Sequence, residues 1–165
     1  MTISSVDDII RMTSNIIQDE QLLCVNQILL LITELESFKA FFSHREAFQL
    51  ALIKSLEKIF CKFIDGKEFL LLENKVRIPD IEKVNQFKRH LINWYERVLE
   101  EFTRILKDEN FSISVRDASL HALLRFIEEE GKNFLVFSFY NFFNIFFSQE
   151  SFLFVHKNIT FQHIF

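Results

Sequence analysis

From Val84 to Ile105 the apolar residues return every third or fourth position, and no glycine or proline interrupts them. Val84, Phe87, Leu91, Trp94, Val98, Phe102 and Ile105 therefore share one side of a 3.6-residue helix. A stripe of that length has to be buried against a neighbour. After a break at Lys107-Asp108-Glu109-Asn110, a second helical stretch runs from Ser114 to Phe126. Its small residues Ala118, Ser119 and Ala122 allow another helix to approach closely. Two glycines and one proline in 165 residues leave little material for tight hairpins or phosphate-cradling loops. The expectation is a single all-α domain, large enough for a substantial core.

Further helices can be read on either side. Ser5 with Asp8 has the form of a capping box, followed by Ile9, Ile10, Met12, Ile16 and Ile17. From about Asp19 a second run carries Leu22, Val25, Leu29, Ile32, Leu35 and Phe38 in register, either as a separate helix or as the continuation of a bent one. The next helix spans Arg45 to Ile64, with Phe48, Leu52, Leu56, Ile59, Phe60 and Phe63 on its apolar side and Asp65-Gly66 as its stop. Glu68 to Ile81 contains Pro79 and reads as a connector. Ser114 and Asp117 suggest another capping box, with Gly131 as the matching stop.

Residues 134–165 differ in composition. Eleven of the 22 phenylalanines fall there, and formal charge is reduced to Glu150 and Lys157. The apolar run from Phe134 to Phe147 is interrupted by Ser138, Asn141 and Asn144 and is shorter than the roughly 18–20 residues that cross a bilayer. The expected organisation is a helical region at 1–133 and a Phe-rich tail at 134–165, disordered or folded back over the helices.

The sequence shows no reactive constellation. Phosphate loops, HExxH, CxxC and GxSxG are absent. The histidines, His44, His90, His121, His156 and His163, have no zinc-like spacing, and His121 reads as a structural histidine on a packed helix. Cys24 and Cys61 read as buried reduced thiols. Glu96, Glu100 and Glu101 read as a solvated face, with Glu100 and Arg104 spaced for an ion pair. The expectation is a chain that is not an enzyme and has no catalytic residues, metal ligands or cofactors. The N-terminus has neither the basic nor the apolar part of a secretory signal.

Net charge is −4, which argues against a broad nucleic-acid surface. Lys83, Lys88, Arg89 and Arg97, joined by Arg104 and Lys107, nevertheless make the long helix locally basic. A solvated face with intrahelical pairs is the favoured reading. The functional alternative is contact with RNA phosphate or an acidic partner. Phe87, Leu91, Trp94, Val98, Phe102, Val115, Ala118, Ala122, Leu123 and Phe126 are the expected helix-stacking core.

The stretches Asn85-Gln86-Phe87-Lys88-Arg89-His90-Leu91-Ile92-Asn93-Trp94-Tyr95-Glu96-Arg97 and Phe111 to Gly131 resemble the nucleolar complex protein 4 family. Family members carry a Phe-x-Val-(charged)-x-x-Ala-Leu-x-Ala-Leu-Leu-(basic)-Phe pattern there, and in this chain Ser119-Leu120 stands at its Ala-Leu pair. Looser similarity reaches back to about Leu22. The resemblance implies a HEAT/armadillo-like α-solenoid fragment of stacked antiparallel helices, each pair burying a face only by stacking. It further implies a nuclear, nucleolar scaffold of the small-subunit processome that works in ribosome biogenesis and rRNA processing. Nucleolar protein fourteen would be its protein partner, and RNA contact would be largely indirect. Some family members are also assigned to the nuclear membrane. Family members are much longer and end in a CCAAT-binding-factor-type domain that has no counterpart here. Similarity stops near Asn133, so the chain reads as an N-terminal fragment with a divergent tail, as a truncated isoform would have. The competing expectation is a small membrane-associated helical protein anchored by its Phe-rich tail.

Overall fold

The computed structural model describes residues 3–18, 24, 26–38, 45–65 and 81–132, with only the backbone described at 81–85 and at 88. Most of these residues are helical, and no strand occurs among them. The helices are α1 (Val6–Gln18), α2 (Asn26–Glu36), α3 (Glu46–Asp65), α4 (Ile81–Lys107) and α5 (Ile113–Lys132). The Pro79 connector and the Phe-rich tail expected at 134–165 lie outside the described residues.

Local chemistry sets several helix ends. At α1 the Ser5 hydroxyl accepts from the Asp8 amide at 3.2 Å and donates to the Asp8 carboxylate at 3.0 Å. Ser4 adds its amide and hydroxyl to the same carboxylate oxygen at 3.2 and 2.9 Å. These Ser4 and Ser5 hydrogen bonds hold the Asp8 carboxyl below the usual carboxylate range. The other end of α1 is closed from a distance, because the Lys62 ammonium on α3 donates to the Ile17 carbonyl. A cation there meets the negative end of the helix dipole. α3 is described to Asp65, and the stop expected at Gly66 lies outside the described residues.

The turn between α4 and α5 is built by Asp108, whose carboxylate accepts from the Asn110 amide at 3.0 Å and the Asn110 side chain at 2.7 Å. The cap of α5 is Ser112, not Ser114. The Ser112 hydroxyl accepts from the Val115 amide at 3.4 Å and donates to Glu46 at the start of α3 at 3.1 Å. Helical geometry begins at Ile113, so Ser114 is already inside the first turn and cannot cap it. Nor does Gly131 act as a stop. α5 continues through it to Lys132, and its surroundings leave open space where a side chain would project.

Packing centres on α3, which touches all four other helices. α1 lies along one flank of α3 and α5 along the other, while α2 and α4 contact each other and also α3. This central position explains why α3 buries more than the single expected stripe. Ile53, Ile64, Gln49 and Ser55 are covered along with Leu52, Leu56, Ile59, Phe60 and Phe63, whereas Phe48 is only half-buried. Aromatic rings join the layers. Phe60 lies 5.3 Å from Tyr95 and 6.4 Å from Phe126, and Phe126 stacks on Phe102 at 6.1 Å. Such contacts supply directional packing beyond area burial.

The first two helical runs are separate helices, α1 and α2. The phase of α2 differs from its sequence register. Ile28, Leu31, Ile32 and Leu35 are buried, while Leu29 turns outward. With Ile28 through Ile32 all apolar, the pattern alone does not choose a side, and packing against α3 and α4 does. Two polar-residue expectations also change. His121 is exposed beside Asp117 rather than enclosed, because the core side of α5 runs through Val115, Ser119, Ala122 and Phe126. Cys24 and Cys61 are half-buried, not fully enclosed, and Cys24 sits in the turn before α2 rather than on a helix.

Candidate functional site

The two stretches that carry the family resemblance meet as α4 and α5, and α3 completes their seam. Of the stacking residues read from the sequence, Leu91, Val98, Phe102, Val115, Ala122, Leu123 and Phe126 are buried, as is Trp94 at the margin. Phe87 and Ala118 are half-buried against the same core. Thus both resembling stretches contribute to one packing seam.

Sequence reasoning missed a polar contact inside this seam. Tyr95, only 3 % exposed, donates its phenol proton to Glu130, only 2 % exposed, at 2.7 Å. The bond ties the last turn of α5 to the middle of α4. Its signal lay in spacing. Glu130 stands four residues after Phe126 and so extends the core side, but Glu128-Glu129-Glu130 looks like a solvated charge run. Glu129 is also covered, and its carboxylate meets Arg125 at 2.8 Å and Lys132 at 3.1 Å. Glu128 pairs with the same two cations at 2.6 and 2.9 Å. Burial on α5 is therefore accompanied by local charge compensation.

The α3–α5 junction has a distinct electrostatic character. Burial pushes the Glu57 carboxyl up, against the opposing pull of Arg125, His121 and Lys54. At Cys61, burial and the nearby Glu57 and Glu129 carboxylates push the thiol up to about 12. A thiol so placed is a poor nucleophile, because the thiolate is the reactive form.

The basic candidates divide into separate environments. Arg97 makes a two-pronged pair with Glu36 at 2.7 and 2.8 Å, and this bond raises the guanidinium pKa further. Two turns later Arg104 donates to the Phe38 carbonyl at 3.2 Å, pairs with Glu101 at 2.7 Å and lies over the Phe111 ring. Glu101, not Glu100, is its partner. Both arginines thus fasten α4 to the end of α2. Arg89 is exposed, as is His90, which stacks on Trp94 at 6.2 Å. The side chains of Lys83 and Lys88 lie outside the described residues, so the four candidates are not shown as one patch.

No group of three or more His, Cys, Asp or Glu that could hold a metal occurs among the described residues. No described helix is long and apolar enough to cross a membrane. Comparison of the chain with protein families, curated proteins and solved structures finds no match.

Proposed function

We propose that this chain is a non-enzymatic helical scaffold of HEAT-like character, acting in assembly of the small ribosomal subunit. Its helices form a fragment of an α-solenoid, and its partners are proteins of the small-subunit processome, with any RNA contact largely indirect. The observation that carries this reading is the coincidence at α4 and α5. The stretches that resemble the nucleolar complex protein 4 family contain residues that pack, among them Leu91, Trp94, Val115, Ala122, Leu123 and Phe126. The neighbour pattern also favours it. α1, α3 and α5 make one row, α2 and α4 touch alongside it, and most contacts join helices one or two places apart in order. Repeat scaffolds have this quasi-one-dimensional organisation.

Gradient sedimentation of nucleolar extracts from cells expressing the tagged full chain tests the reading. The expected result is co-migration with large pre-ribosomal particles and nucleolar staining. Migration as a free small protein with no particle association contradicts it. Recovery in membranes that depends on residues 134–165 instead supports a membrane-anchored helical protein.

A further inference from the structure

The two long flanks of α5 are unlike. One faces α3, as shown by His121, Arg125 and Glu129, whose charges act on Glu57 or Cys61. On the flank facing away from α3 the residues are Ile113, Leu120, Leu124 and Ile127, which recur at helical spacing. Ile113 is 82 % exposed and Leu124 39 % exposed, and Leu120 and Ile127 are half-buried. α3 has a neighbour on each flank, α1 and α5. The far flank of α5 is thus the place where the row α1–α3–α5 would accept another element.

We propose that this flank is covered by the chain's own Phe-rich segment, residues 134–165. Chain connectivity selects this occupant over a second copy or a foreign protein. α5 is described to Lys132 and the segment begins at Phe134, seven residues beyond Ile127, so one reversal of the chain brings it back along the flank. Composition selects it as well. The segment holds 11 of the 22 phenylalanines and only two formal charges, and an apolar helix flank gains most from a partner of that kind. Phe134 to Phe147 is the most apolar part and the closest, and it makes the contact.

Photo-crosslinking of the full-length chain tests this, with a benzophenone-bearing residue at position 124 and, separately, at position 121. The expected product from position 124 is an intramolecular link, at monomer mass, to a peptide within 134–165. Position 121, on the side toward α3, yields at least tenfold less of it. Far-ultraviolet circular dichroism of each labelled chain shows that helix content is retained. Links from position 124 that join two copies, that stay within the monomer but avoid 134–165, or that fail to form in a helical chain overturn the proposal. None of these outcomes bears on association with pre-ribosomal particles, so the two ideas fail separately.

Discussion

At the scale of single residues, the described helices combine hydroxyl caps, long-range cationic caps and the buried acids Glu129 and Glu130. Ser112 is the most informative cap because its hydroxyl serves α5 and reaches Glu46 on α3 at once. Ser112→Ala is expected to cost about 0.5–2 kcal/mol in chemical denaturation, whereas Ser114→Ala changes stability by less than about 0.5 kcal/mol. Gly131 sits in helical backbone with open space around it. Gly131→Ala is therefore expected to stabilise by a few tenths to about 1 kcal/mol, with fraying at the helix end favouring the lower figure. Asp8 sets a pH dependence. Its carboxyl is held below the ordinary range by hydrogen bonds from Ser4 and Ser5 in the folded chain. The stability this provides is complete above the unfolded carboxylate range and is lost as acid carries the pH down through the folded value. Asp8→Asn flattens that acid limb, as a stability-versus-pH series will show. For Cys61, with its thiol pushed up to about 12, reaction with a disulfide reagent at pH 8 is expected to run about two to three orders of magnitude slower in the folded chain than in denaturant.

Among the elements, α5 decides most of the packing. Phe126 contacts Phe60, Tyr95 and Phe102, so it joins α5 to both α3 and α4. Phe126→Ala is expected to cost about 3–5 kcal/mol in denaturant unfolding, and a loss under about 0.5 kcal/mol would mean that a different face is buried. Tyr95→Phe removes the donor to a covered carboxylate and is expected to cost about 1–3 kcal/mol. Arg97→Ala, by contrast, breaks a pair that is about one-third exposed on both sides and costs at most about 1 kcal/mol. Much of this was legible in the sequence. The long stripe of α4, the break after Lys107 and the Ser5–Asp8 cap follow from spacing and local hydrogen bonding, which act within a few residues. The side buried by α2 was not legible, because five consecutive apolar residues satisfy any phase. The burial of Glu129 and Glu130 was hidden for a related reason: charge argued for solvent while periodicity argued for the core. Only the arrival of Arg125, Lys132 and Tyr95 decides between them.

For the molecule as a whole, the placement of α3 between α1 and α5, with α2 and α4 alongside, is what makes a scaffold reading coherent. Most of the apolar surface of the described helices is buried against their neighbours, while Ile10, Leu29, Ile113 and Leu124 remain exposed. Arg97 and Arg104, which read in the sequence as part of a solvated face with partner contact as the alternative, fasten α4 to the end of α2. That long-range use could not be read from composition, since Glu36 is 61 positions from Arg97 in the chain. The central physical claim is that α3, α4 and α5 share one packed seam around Phe126. Nuclear Overhauser contacts from the Phe126 ring in the full-length chain test it most directly. The account predicts cross-peaks to the rings of Phe60, Tyr95 and Phe102 together. Cross-peaks confined to neighbours within α5, in a chain that is otherwise helical, would contradict it.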